Sequence, residues 1–91
     1  MNVIKKNGRQ ESFQADKLAL SAINTAGDLS QTITNKEGQM IAADVFKIVR
    51  QIRGDDGLTS VYELRTILGN VLKQFGYKRV AQHYLCGGLE P

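Results

Sequence analysis

Four cations near the start of this 91-residue chain are the side chains best placed to do chemistry. Lys5, Lys6 and Arg9 bracket an Asn7-Gly8 pair, and Lys17 follows once the hydrophobic period has changed. Ammonium groups bind phosphate oxygens as point charges, and a guanidinium binds them through a planar fork. A lysine in the first turn of a helix opposes the helix dipole, a cost that Asp16 offsets in part. That cost has a use if Lys17 and the helix N-terminus both face an anion such as phosphate. The same cluster also suits a solvated basic edge that discourages strand-to-strand pairing. Spacing alone leaves both readings open.

Other chemistries find no support. His83 is the sole histidine and has no nucleophile or orienting carboxylate near it in sequence, so it reads as a surface or capping residue. Asp55-Asp56-Gly57 reads as a solvated turn rather than a metal site. One cysteine, Cys86, can form neither an intrachain disulfide nor a Cys-rich zinc site, and a small buried thiol is expected. The glycines never form the phosphate-cradling pattern followed by Lys-Ser/Thr, nor the dinucleotide fingerprint.

Composition bounds the rest. At 42% hydrophobic and 23% charged residues the chain belongs with ordinary globular domains, and its length suits one compact core. The net charge of +3 fits anionic partners without choosing among them. Charges at Lys5, Lys6 and Arg9 interrupt any leader-like apolar run, and no stretch nears the roughly 20 apolar residues of a membrane span. A small cytoplasmic domain with no membrane partner is expected.

The elements that must position the cations follow from periodicity. Val3 to Phe13 reads as a β-hairpin with a two-residue type I′ turn at Asn7-Gly8, which sets Lys6 opposite Arg9 and Ile4 opposite Glu11. An anion held between the two facing cations would relieve their repulsion. After Phe13, Ala15, Leu18, Ala19, Ala22, Ile23 and Ala26 form one helical stripe, with Gly27 as its stop. A polar connector, 28–33, leads to a capping box at Thr34–Glu37 and a second helix that buries Ile41, Val45, Ile48, Val49 and Ile52 before Gly54. A second capping box, Ser60–Glu63, opens a helix with Leu64, Ile67, Leu68, Val71, Leu72 and Phe75 on one face and Gly76 as its stop. The last helix runs from about Tyr77 to Leu85 with Val80, Ala81, Tyr84 and Leu85 inward, and Gly87-Gly88 closes it. A two-stranded hairpin is marginal alone, so it must pack on the helices or gain a third extended segment. The expected fold is α+β, a small N-terminal β-hairpin cap on a four-helix bundle. The domain should span 1–88, with a frayed end at 89–91.

The run Val3-Ile-Lys-Lys-Asn-Gly-Arg-Gln-Glu-Ser-Phe13, followed by Asp16-Lys17-Leu18, resembles the opening of the ATP-cone domain. Thr59-Ser60-Val61-Tyr62-Glu63-Leu64 is similar to that family's third-helix start. Phe75-Gly76-Tyr77, Val80-Ala81 and Tyr84-Leu85 are similar to its closing pattern, so the resemblance covers nearly the whole chain. It implies a non-catalytic regulatory domain that binds ATP or dATP, with or without Mg²⁺, between a β cap and a four-helix bundle. It further implies control of a fused or partner protein, a ribonucleotide reductase or the repressor of its genes, and a homo-oligomer that forms on nucleotide binding. By resemblance Val3 and Ile4 border base and ribose, and Lys5, Lys6 and Lys17 meet the phosphates. Glu11 and Gln14 lie at the adenine, and Arg65 contacts nucleotide from the third helix.

This chain departs from the family pattern in several places. Lys6 stands for the usual Arg and removes a bidentate fork. Asn7 stands for Asp, and Gln14 for Asn or Asp, a weaker helix cap. Gly87 and Gly88 replace a basic residue. These changes bear on phosphate affinity and on the discrimination of ATP from dATP. A ligand-free module that docks its basic hairpin on an acidic protein or a nucleic acid is the competing reading. The absence of Trp and the few aromatics disfavour single-strand binding by stacking, which ranks direct nucleic-acid binding below nucleotide binding. ATP hydrolysis ranks third, for want of a visible water-activating residue or metal cluster.

Overall fold

The computed structural model describes residues 1–85. Cys86, the Gly87-Gly88 stop and the proposed end at 89–91 lie outside the described residues. Seven elements follow in order: β1 (Asn2–Ile4), β2 (Gln10–Ser12), α1 (Ala15–Asp28), α2 (Asn35–Arg53), β3 (Leu58–Ser60), α3 (Val61–Gln74) and α4 (Lys78–Leu85). The expected α+β architecture is present, a small β cap on four helices.

The cap is a three-stranded sheet in the order β2-β1-β3 rather than a bare hairpin. β3 runs parallel to β1, with Val3 paired to Thr59, and a third strand stabilises what two strands cannot. A three-residue strand leaves too little alternation to be read from sequence. Gly57 enters it by close approach: a Cβ there would run into the Arg53 carbonyl at the end of α2.

The hairpin register differs from the expected one by a single residue. Val3 pairs with Glu11 and Ile4 with Gln10, so Lys5, not Lys6, meets Arg9. The connection is a three-residue loop rather than a type I′ turn. Gly8 N–H donates to the Lys5 carbonyl (2.9 Å), Lys5 N–H to the Arg9 carbonyl (2.7 Å), and Gly8 alone of the loop takes positive φ, +85°. Asn7 stays at negative φ and uses its side chain instead, its Oδ1 accepting the Arg9 N–H at 3.0 Å. A turn followed by a left-handed glycine is the common three-residue alternative. The slip matters because a one-residue shift changes which side chains share a face.

Helix ends show where local signals win or lose. Gly27 lies inside α1, and the chain turns at Ser30, whose φ is +60°. Ser30 N–H bonds the Gly27 carbonyl and Gln31 N–H the Ala26 carbonyl. α3 ends in the same way around Gly76, with Gly76 N–H on Lys73 and Tyr77 N–H on Leu72. This paired-bond closure satisfies carbonyls that the last turn leaves open. At Ser60 the second capping box is half made: Ser60 Oγ accepts the Glu63 N–H at 3.1 Å, but the Glu63 carboxylate goes to Arg53 and Thr59.

α3 packs on α4 and α2, and α1 packs on α2. Ile41, Val45, Val49, Leu68, Val71, Leu72 and Val80 form the fully buried centre, each such side chain contributing about 1.5–3 kcal/mol relative to exposure. Ile33 joins this core although it closes a polar connector. Ile52 keeps its place in the helical stripe yet is 58% exposed, since neighbours and not periodicity decide burial in a final turn. Between α1 and α2 the contact is close: a Cβ on Gly38 would stand 2.9 Å from Ile23 Cδ1. The alanine face of α1 permits that approach.

Candidate functional site

The corrected register places Val3, Lys5 and Glu11 on one face of the cap. Val3 and Lys5 alternate to the same side of β1, and Glu11 stands across from Val3. That face looks onto a groove of about 220 Å³ between the cap, α1 and α3. Val61, Leu64 and Leu68 of α3, with Leu18 of α1, give it an apolar lining, and Phe13 closes the strand side. Tyr84 reaches it from α4.

Polar groups ring this lining. Gln14, Lys17 and Ser21 stand at i, i+3 and i+7, so one side of α1 presents all three. Gln14 has the N-cap backbone, extended at φ −125° and ψ 103°, yet its side chain makes no capping bond. The first N–H groups of α1 therefore have no side-chain acceptor beside the groove, an arrangement that favours an anion. Arg65 stands at i+4 from Val61 on α3, with its guanidinium carbon 5.1 Å from the centre of the Tyr84 ring. Its Nε is buried and has no hydrogen-bond partner. Among the described residues the salt bridges are Arg50–Asp55 and Arg53–Glu63, so Lys5, Lys17 and Arg65 have no carboxylate partner there.

Six of the eight residues singled out from sequence thus meet around one groove: Val3, Lys5, Glu11, Gln14, Lys17 and Arg65. Ile4 and Lys6 are not in its lining. They alternate to the other side of β1 and to the exposed turn, as the observed register requires. Ser21 and Tyr84 were not anticipated. The i, i+3, i+7 run of polar residues beside the alanine stripe was the signal for Ser21, whereas Tyr84 looked like one more core position.

Elsewhere two carboxylates are tied into the fold. Arg53 donates to both Glu63 oxygens (3.1 and 2.8 Å), and Thr59 Oγ1 donates to Oε1 at 2.6 Å. The guanidinium and then the Thr59 hydroxyl hold the Glu63 carboxyl below its ordinary range, and the bond to Glu63 raises Arg53 above its own. Tyr77 donates its hydroxyl to Glu37 Oε2 at 2.6 Å, which with the Thr34 cap lowers Glu37; the same bond raises Tyr77. Exposed Asp55 and Asp56 and exposed His83 lie outside the groove lining, and His83 packs edge-on against Tyr84 at 5.6 Å between ring centres. Among the described residues no three His, Cys, Asp or Glu side chains are placed to hold a metal, and no helix is long and apolar enough to cross a membrane.

An apolar groove rimmed by cations without carboxylate partners, under a β cap, has the chemistry to take an anionic ligand with an apolar part. The family model of the ATP cone domain matches residues 1–86, and the chain belongs to that family. Membership implies a nucleotide-binding regulatory module. No curated protein matches the chain.

Proposed function

We propose that the groove binds an adenine nucleotide, ATP or dATP, and that the chain is a non-catalytic sensor whose occupancy controls a fused or partner protein. The observation that carries this reading is the meeting of Lys5, Lys17 and Arg65, without carboxylate partners among the described residues, on one apolar groove of an ATP-cone chain. Lys5 and Lys17 take the phosphates together with the uncapped start of α1. Glu11 and Gln14 accept from and donate to the adenine edge, with Val3 against the base or ribose. Lys6 adds charge from the hairpin tip, and Ile4 borders the ligand through its backbone.

Mg²⁺ would be held chiefly by phosphate oxygens, because the groove lining supplies a single carboxylate, Glu11. By resemblance, the regulated protein is a ribonucleotide reductase or a regulator of its genes, acting in the cytoplasm, with nucleotide-dependent self-association as a means of control. Control requires that the ligand favour one of two states, since equal affinity shifts nothing.

Calorimetric titration with ATP, dATP and GTP, each with and without Mg²⁺, tests the reading. Saturable binding of ATP or dATP, with GTP weaker, is the expected result. Absence of any saturable adenine-nucleotide binding, alongside steeply salt-dependent binding to nucleic acid, would favour the basic-hairpin interaction module instead.

A further inference from the structure

Tyr84 is 5% exposed, and its hydroxyl stands 2.6 Å from Ser21 Oγ and 3.0 Å from Thr25 Oγ1. Ser21 and Thr25 are four residues apart on α1, so both hydroxyls face the same way. A phenol carries one hydrogen and can also accept, so it can bond both hydroxyls at once. The ring cannot swing away from α1 without breaking both bonds.

Arg65 lies over this fixed ring, and its buried Nε has no acceptor. A buried donor left unpaired is costly, whereas a guanidinium over a tyrosine face is attracted to it. The ring thus holds the Arg65 guanidinium at the groove, which both residues line.

We propose that Tyr84 is a positioning residue for ligand binding. Ser21 and Thr25 anchor its ring through the hydroxyl, and the ring holds the Arg65 guanidinium at the groove for an acceptor atom of the nucleotide. The inference rests on the groove being the nucleotide site. It gives α1 a second, indirect hold on the ligand besides Lys17, and it links α1 to α4 through the same contact.

A double-mutant cycle in ATP affinity tests this, using Tyr84→Phe, Arg65→Lys and the pair. Phenylalanine keeps the ring and lysine keeps the charge, so neither change removes the core or the cation. Each single variant should bind ATP about tenfold more weakly. The pair should bind no more weakly than the worse single, because both act through one contact. Thr25→Val should move the Arg65 Nε–H resonance in the same direction as Tyr84→Phe, and Thr25→Ser should restore it. A merely structural role would lower thermal stability without moving that resonance. Losses that multiply to about a hundredfold in the pair overturn the inference, as does wild-type affinity in Tyr84→Phe. Failure of the wild type to bind ATP removes the site reading and this inference together. Binding by the wild type with multiplying losses leaves the site reading and removes the inference alone.

Discussion

The first turns of α1 and α2 treat the same problem in opposite ways. At α2, Thr34 Oγ1 accepts the Glu37 N–H at 3.1 Å, Glu37 reaches back to the Thr34 N–H, and Tyr77 fills its other oxygen. At α1, Gln14 caps nothing and a lysine stands in the first turn. Among the described residues Arg50 and Arg53 have carboxylate partners, and of the cations without one Lys5, Lys17 and Arg65 line the groove. Lys5, Lys17 and Arg65 are set apart by meeting at one apolar groove, beside a helix start that no side chain caps.

The largest expected effect separates the two regions outright. Lys5→Ala with Lys17→Ala should weaken ATP binding by about a hundredfold, at roughly 1.5–3 kcal/mol for bonds to charged groups. The unfolding free energy from urea titration should stay within about 0.5 kcal/mol of wild type, as for surface changes in general. Equal loss of both would show that these lysines serve the fold and would break the comparison.

Thr34→Ala probes the opposite region. Loss of this cap should cost about 1 kcal/mol in chemical denaturation and leave nucleotide affinity unchanged. Tyr77→Phe sharpens the contrast by pH. Glu37 has a folded pKa below its ordinary value, chiefly through the Tyr77 hydroxyl. Its contribution is therefore complete above the unfolded value of about 4.3 and fades as pH falls through the lower folded value. Tyr77→Phe should be less stable than wild type at neutral pH, with the gap closing in acid, as urea midpoints across that range would show. A gap that persists unchanged below the carboxylate range would contradict the assignment. The smallest effect is a gain: Gln14→Asn should add a few tenths to about 1 kcal/mol by capping α1.

Most of the fold was legible because its signals are local and repeated. Stripes such as Leu64, Ile67, Leu68, Val71 and Leu72 follow helix geometry and were buried as expected. What escaped depends on neighbours distant in sequence. β3 exists by pairing with β1, Ile33 is buried by helices it does not belong to, and Glu63 leaves its capping role for Arg53 on α2. The hairpin slip has a local cause, since a left-handed glycine after a turn and a type I′ turn share the Asn-Gly signal. The site was legible to the same degree. Lys5, Glu11 and Lys17 stand in a motif, whereas Tyr84 joined only when α4 folded against α1 and α3.

Amide chemical-shift titration with ATP tests the central claim most directly. Saturable shifts should gather at Val3, Lys5, Glu11, Gln14, Lys17 and Arg65, with the Thr34–Glu37 cap and the Arg53–Glu63 pair unmoved. Shifts confined to the hairpin tip at Lys6 and Arg9, or spread evenly over the exposed cations and abolished by modest salt, would contradict it.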